Sequence, residues 1–417
     1  MENITAVILA AGLGIRMKTD VPKVLHRIGS KTMLGRIIAN LKKSGVTDII
    51  AVVGHKADIV ESFFKEAIRF VRQPELLGSG DALAHAVDYM EEDGDVLVTC
   101  GDTPLISDDT YAKLVERHIR EKASCTLLTS TIADPASYGR IIRDRRGNVL
   151  RIVEEKDLSG AEKEVTEINV GTYCFRKDNL KKFVRNIKIN EKKKEFYLTD
   201  MIDILVRNGK RIVSETCEAE EAVGVNSRKD LADMNRIINR KNVEKLMDSG
   251  VTVIDPDTTY IDETAEIGRD TIIFPCTVIE SDIRIAEGCK VGPFARLRPG
   301  TSLSRGVEVG NYVELCRTEI GERTKVKHHA YLGDTVVGRD VNIGAGTITA
   351  NYDGKNKYRT EIGDNAFIGV GAVLIAPVRI GKGAVVGAGS VITKNKDVPA
   401  GETVIGVPAR PLSTGGR

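Results

Sequence analysis

The chain has 417 residues, too many for one ordinary core, which predicts two or three domains. Its 61 Lys and Arg stand against 59 Asp and Glu, a balance that gives no electrostatic case for nucleic acid or a membrane surface. The composition is globular, 41% hydrophobic with no Trp, and no segment reaches the ~18 apolar residues of a membrane span.

The apolar opening, Ala6 to Ala11, is too short for a signal h-region and lacks a basic flank. The seven cysteines, at 100, 125, 174, 217, 276, 289 and 316, include no CxxC and no metal-finger spacing. In a chain this large they read as reduced, mostly buried thiols of a cytoplasmic protein.

Residues 1–226 alternate strand and helix patterns. Strands are predicted at Ala6–Leu9, Ile49–Val53, Val96–Thr99 and Thr126–Thr131, with helices between them such as Met33–Ser44 and Ser79–Glu91. This alternation predicts a mainly parallel sheet with ligands at the carboxyl ends of its strands. A polar stretch with little Gly or Pro, Arg228 to Asp248, predicts a connecting helix that Ser249-Gly250 stops. The predicted division is therefore 1–226, a linker at 227–250, and 251–417.

Glycine marks the change of architecture: 17 of the 40 lie in residues 1–250 and 23 in the shorter remainder. A six-residue period accompanies it. Ile261, Ile267, Ile273, Ile279, Ile285, Val291, Leu297, Leu303, Val309 and Leu315 are all aliphatic. After one-residue shortenings the series resumes at Ile320, Val326, Leu332, Val337 and Ile343, then from Ile362 to Ile392. The period predicts a hexapeptide left-handed parallel β-helix, with Gly at the tight corners. Its one large break leaves a polar loop, roughly Thr349 to Glu361, where function is expected.

Two sequence elements carry phosphate chemistry. Residues 9–23 (LAAGLGIRMKTDVPK) place a Gly-containing turn directly after the first strand, and Arg16 and Lys23 add positive charge. The spacing is neither GxGxxG followed by a helix nor a Walker loop. Cys100-Gly101-Asp102 ends another strand, where the Asp suits Mg²⁺, a cation that favours hard oxygen ligands. Taken alone such an Asp is a turn residue; beside a phosphate loop the metal reading gains. Histidines 26, 55, 85 and 118 are dispersed and suggest no metal cluster, Lys192–Lys194 reads as a solvated loop, and Ser413–Arg417 as a disordered tail.

The run LAAGLGIRMKTDVPKVLH resembles the signature of sugar-1-phosphate nucleotidyltransferases. The chain is most similar to the bacterial bifunctional N-acetylglucosamine-1-phosphate uridylyltransferase/glucosamine-1-phosphate acetyltransferase family. Further matches follow in order: Gln73 with Leu77-Gly78-Ser79-Gly80, Tyr138-Gly139-Arg140, Ile152-Val153-Glu154, Glu167-Ile168-Asn169, Tyr197-Leu198-Thr199-Asp200 and Gly224-Val225-Asn226. The resemblance spans essentially the whole chain. It implies a Rossmann-like nucleotidyltransferase domain followed by the prism, and synthesis of UDP-N-acetylglucosamine for peptidoglycan and lipopolysaccharide.

By that resemblance Leu9, Ala10, Ala11, Gly12, Lys23, Gln73, Gly78 and Ser79 would bind UTP, and Arg16 and Lys23 would be catalytic. Gly139, Glu154, Asn169 and Asn226 would hold the sugar-1-phosphate, and Asp102 with Asn226 would hold Mg²⁺. Ile15 departs from the family's usual Thr.

For the prism the resemblance implies a homotrimer that binds acetyl-CoA. His328 would be the base. Arg298, Tyr331, Asn342 and Lys357 would bind the acceptor, and Ala345, Asn351, Tyr352 and Ala388 the acetyl-CoA. Cys316-Arg317 stands where the family offers a Lys to the sugar phosphate, Val370 where it offers a Ser near acetyl-CoA, and the C-terminal basic residue is out of register. The same residues leave a second reading, a uridylyltransferase whose prism only joins three chains, and a weaker third, a non-catalytic nucleotide-sugar sensor.

Overall fold

The structure is a computed structural model that describes residues 4–65, 67–90, 94–135, 137–191 and 194–412. Lys192, Lys193 and the Ser413–Arg417 tail lie outside the described residues. The chain divides into two compact units, Met1–Asn235 and Arg236–Arg417.

The first unit is a nine-stranded sheet covered by helices. Its strands are β1 (Ile4–Leu9), β2 (Asp48–Val53), β3 (Arg69–Arg72), β4 (Asp95–Cys100), β5 (Cys125–Thr131), β6 (Arg140–Arg143), β7 (Val149–Val153), β8 (Glu167–Arg176) and β9 (Ile212–Thr216). The main order is β9-β5-β8-β4-β1-β2-β3, with β6 and β7 attached beside β8. Every predicted strand forms, one or two residues longer at one end or both.

The expected mainly parallel sheet carries antiparallel pairs, at β8 and between β6 and β7. β8 runs antiparallel between β4 and β5, and its pairing with β5 slips between Asn169 and Tyr173. Its segment, EINVGTYCFR, alternates in burial up to Gly171 and is buried throughout 172–175, a pattern that gives strand type and not direction.

The helices are α1 (Met33–Lys43), α2 (Ala57–Phe64), α3 (Ser79–Val87), α4 (Asp108–Glu121), α5 (Lys177–Phe183) and α6 (Asp200–Arg207). Successive side chains of a strand point to opposite faces, and β1 shows the result. Ala6 and Ile8 pack with Ile37, Leu41 and Leu114 from α1 and α4, while Val7 packs with Leu83, Met201 and Leu205 from α3 and α6. Burial on both faces is why the strand reads as an apolar run. Strand order reverses at β1, so the carboxyl ends of β1 and β4 open a crevice at the switch point. The α3 helix ends at Val87, earlier than its apolar pattern predicts.

The predicted linker is one continuous helix, α7 (Arg228–Asp248). The division between the two units falls inside it, between Asn235 and Arg236. Its start is capped reciprocally: Asp230 Oδ2 accepts from the Ser227 N–H at 2.9 Å, and Ser227 Oγ accepts from the Asp230 N–H at 3.2 Å.

The second unit is the hexapeptide β-helix, left-handed as the repeat predicts, with three faces of short parallel strands. Ile261, Ile279, Leu297 and Leu315 stack in register, so each coil takes 18 residues. From Leu315 to Leu332 and from Val326 to Ile343 a coil takes 17, the one-residue shortening read in the sequence. The periodic aliphatic residues form one continuous buried core, Ile267 alone being only partly buried.

Two expectations need correction. Thr349 is buried in the strand Ile348–Ala350 and accepts a hydrogen bond from the Gly333 N–H at 2.8 Å. Thr360 and Glu361 belong to the strand Thr360–Ile362. The excursion is therefore 351–359. A hydrophobic count missed Thr349 because its hydroxyl is satisfied inside the prism.

The glycines after the periodic residues also have a different cause. A Cβ on Gly344 would lie 2.6 Å from backbone atoms of the next coil, and one on Gly321 2.5 Å. Close approach of stacked coils demands them. The left-handed corners are shared with non-glycines, including Phe294, Tyr312, Arg317 and His329.

Candidate functional site

The crevice of the first unit is a cleft with two lobes. One, of about 750 Å³, is lined by the turn from Leu9 to Arg16 together with Lys23, Gln73, Gly78 and Ser79. The other, of about 780 Å³, is lined among others by Tyr138, Glu154, Tyr197 and Gly224. Arg16, Ser79, Cys100, Asp102, Glu195 and Asn226 border both, so Arg16 and the two expected metal ligands sit between the lobes.

The turn after β1 is held by its neighbours. The Ala10 N–H donates to Val52 O at 2.8 Å, and the Gly101 N–H to Leu9 O at 2.9 Å. At Gly12 a Cβ would meet nothing within 4 Å, so the space above it is open cleft. Gly78 must be glycine: its φ is +104° and a Cβ would lie 2.7 Å from Phe196 O. Ser79 opens α3, and its Oγ accepts from the Leu198 N–H at 3.1 Å.

Lys23 lies between the two expected metal ligands. Its Nζ donates to Asp102 Oδ2 at 2.7 Å and to Asn226 Oδ1 at 2.9 Å. Asn226 is placed by α7, since Asp230 Oδ2 accepts its N–H at 2.8 Å. Two oxygens converging on one cation are a donor set that Mg²⁺ also accepts, the remaining positions coming from phosphate and water. Among the described residues no group of three or more His, Cys, Asp or Glu forms a protein-only metal cage, and none is needed for a metal held partly by substrate. Cys100 borders the cleft, but burial, reinforced by Asp102, pushes its thiol up to about 12, so it is no nucleophile.

In the second lobe Glu154 accepts from Thr199 Oγ1 at 2.8 Å, and burial raises its carboxyl. Asp200 is pushed up to about 6, first by burial and then by Glu154. The Asn169 N–H donates to Gly139 O at 2.9 Å, which joins two of the four expected sugar-binding positions. One N–H of the Asn169 amide donates to Tyr173 Oη at 2.8 Å and its Oδ1 accepts from the Gly171 N–H at 3.2 Å, which leaves one donor and one lone pair of the amide. Sequence reasoning passed over Glu195, Tyr138 and Thr199. Only the Tyr138 and Tyr197–Asp200 matches hinted at the last two.

In the prism, Tyr331, Asn351 and Lys357 come together around an ion pair that was not expected. Arg317 grips Asp334 with both arms, at 2.5 and 2.8 Å. Arg317 first, then burial and Asn351, set the balance that holds the Asp334 carboxyl below its usual range. Asn351 donates to Asp334. Arg298 donates to Glu314 at 3.0 Å, and Glu314 pairs in register with Tyr331. Burial raises the Tyr331 phenol.

His328 is exposed on the strand Lys325–Gly333, in register with Asn311. Asn342 lies one coil beyond, opposite Lys325. Tyr352 is exposed and pairs across the excursion with Lys357. Ala345, Val370 and Ala388 form one column: the Gly371 N–H donates to Ala345 O at 2.7 Å and the Gly389 N–H to Val370 O at 2.8 Å. The departure at Val370 thus stands between the two alanines expected to meet acetyl-CoA.

Comparison with known proteins finds one family match in each unit. The MobA-like NTP transferase domain family matches residues 6–156, and the bacterial transferase hexapeptide family (six repeats) matches residues 359–394. The Bifunctional protein GlmU of Carboxydothermus hydrogenoformans is 43% identical over 427 residues, covering 94% of this chain and 95% of that one. Those of Caldanaerobacter subterraneus subsp. tengcongensis and Halalkalibacterium halodurans are 42% and 40% identical, covering 97% and 96% of this chain and 95% of each relative. With such identity sustained through both units, the chain belongs to the GlmU family of bifunctional proteins.

Proposed function

We infer that the chain makes UDP-N-acetylglucosamine by two reactions, N-acetylation of glucosamine-1-phosphate by acetyl-CoA and uridylyl transfer from UTP to the product. The first is assigned to the prism and the second to the sheet unit. The observation that carries the second is Lys23 bridging Asp102 and Asn226 where the two lobes meet.

In uridylyl transfer a phosphate oxygen of N-acetylglucosamine-1-phosphate attacks the α-phosphorus of UTP. The new P–O bond forms as the bond to pyrophosphate breaks. The nucleophile is already ionised, a phosphate's second pKa being about 6, so no general base is required. Arg16 and Lys23 neutralise charge at the α-phosphate, and the Leu9–Gly12 backbone, Gln73, Gly78 and Ser79 hold the nucleotide. Gly139, Glu154 and Asn169 hold the sugar. Mg²⁺, bound by Asp102 and Asn226, would supply charge neutralisation on the phosphates.

In acetyl transfer the substrate amine attacks the thioester carbonyl. A C–N bond forms, the C–S bond breaks, His328 takes the amine proton, and the thiol leaves. Arg298, Tyr331, Asn342 and Lys357 hold the sugar phosphate, while Ala345, Asn351, Tyr352 and Ala388 hold acetyl-CoA. The chain works as a homotrimer, which its hexapeptide repeats support, and in the cytoplasm, which seven unpaired cysteines support.

The test supplies glucosamine-1-phosphate, acetyl-CoA and UTP with Mg²⁺, and in a second assay N-acetylglucosamine-1-phosphate and UTP with Mg²⁺, and weighs the products. UDP-N-acetylglucosamine with one thiol and one pyrophosphate released is expected. Pyrophosphate without thiol would reduce the prism to a trimerisation module, and neither product would sink the proposal.

A further inference from the structure

Gln73 borders the first lobe of the cleft yet is only 5% exposed. Its backbone is pinned, the N–H donating to Val53 O at 2.8 Å. Its side-chain nitrogen Nε2 donates twice, to Asp81 Oδ2 at 2.7 Å and to Gly78 O at 3.1 Å. A carbonyl oxygen and a carboxylate can only accept. Turning the amide over would set Oε1 against both, three oxygens facing one another with no proton between them. The amide therefore has one permitted orientation, fixed by chemistry independently of how the two ends of a Gln are told apart. Both N–H donors are consumed, and Oε1 accepts from no group among the described residues.

We propose that Asp81 sets the base specificity of the nucleotide cleft by locking Gln73 with its oxygen toward the base. The inference rests on the reading of this cleft as a nucleoside triphosphate site. An acceptor presented there suits a pyrimidine with an N3–H donor, as in uracil or thymine. Cytosine presents a lone pair at N3, and two acceptors at hydrogen-bond distance repel. Asp81 does not touch the nucleotide; it is a positioning residue acting through Gln73. It stands in the first turn of α3, three residues past Gly78, so the helix that frames the cleft also carries the lock. His85, its other neighbour, has Nε2 3.6 Å from Asp81 Oδ2, too far to hydrogen-bond, so it does not compete for that oxygen.

The test is steady-state pyrophosphate release by the full-length protein, with N-acetylglucosamine-1-phosphate as acceptor and UTP or CTP as donor. Wild type is expected to favour UTP by about 100-fold or more in kcat/KM. N3-methyl-UTP, which has lost the donor, is expected to fail as CTP does. In Asp81→Asn the charged acceptor is gone and the amide can turn, so the UTP-to-CTP ratio is expected to fall roughly tenfold or more. Asp81→Glu, which keeps the carboxylate, should restore part of the ratio. A merely structural role would lower kcat/KM for both nucleotides alike, and an unchanged ratio overturns the proposal. Should the variants not fold, wild type still decides, because equal use of UTP with CTP or N3-methyl-UTP overturns it too. No turnover with any nucleotide would instead refute the underlying reading, and this inference with it.

Discussion

At the scale of single residues, Lys23 is the most constrained cation of the cleft. Only 13% of its side chain is exposed, and it satisfies two oxygens at once. Losing it removes charge at the α-phosphate and leaves Asp102 without its counterion. Lys23→Ala is expected to lower kcat/KM for pyrophosphate release by about 10²- to 10³-fold, as measured by a coupled phosphate assay. Asp200 gives a pH signature. Its carboxyl is raised to about 6, against ~3.9 in an unfolded chain. Below the lower value both states are protonated. Between the two the folded chain keeps a proton that the unfolded chain has lost, so stability falls as pH rises through that window. In Asp200→Asn this loss is absent, and Tm relative to wild type is expected to rise by roughly 2 °C or more from pH 4 to pH 7. Thermal melts at the two pH values check it, and an unchanged difference would mean the carboxyl is solvated.

At the scale of elements, the two kinds of repeat were unequally visible. The aliphatic hexads fix the prism core because each stands alone in its position, whereas Thr349 continues the same column unseen. Its hydroxyl makes it polar to a reader and satisfied inside the fold. The glycines after the hexads were visible, but their cause was not, since coil-to-coil distance is a tertiary fact. Gly344→Ala places a Cβ 2.6 Å from the next coil and is expected to cost about 1–3 kcal/mol, measured by urea unfolding. The cap of α7 is a local device with a distant effect. Ser227→Ala is expected to lose about 1 kcal/mol of stability and, by loosening Asn226, to raise the Mg²⁺ concentration needed for half-maximal pyrophosphate release. Loss of stability with no change in Mg²⁺ dependence would place Asn226 outside the metal site.

At the scale of the molecule, each unit has its own core, so the two proposed reactions should fail separately. His328→Ala is expected to lower thiol release from acetyl-CoA by about 10²- to 10⁴-fold while pyrophosphate release stays at the wild-type rate. Parallel loss of both would contradict the assignment. The N-terminal cleft was largely legible in sequence, because its turn, its strand-end Asp and its basic residues lie in short contiguous motifs. The antiparallel β8 was not, since strand direction leaves no mark on a hydrophobic pattern. The Arg317–Asp334 pair was hidden as well: the partners are 17 residues apart, one coil, and only the fold brings them together.

That coil spacing has a consequence for how such a chain can change length. Eighteen extra residues inserted among the early coils would add one full layer and lift everything beyond it by about 4.8 Å, leaving each side chain on its own face. Six extra residues would instead rotate every later coil by a third of a revolution, carrying His328 and the Ala345–Val370–Ala388 column to a different face. The prism is thus indifferent to whole layers, and it takes a partial one only where the extra residues loop out, as 351–359 do, with Ile343 still in register with Ile368. Its length is quantised, and the unit is three hexads.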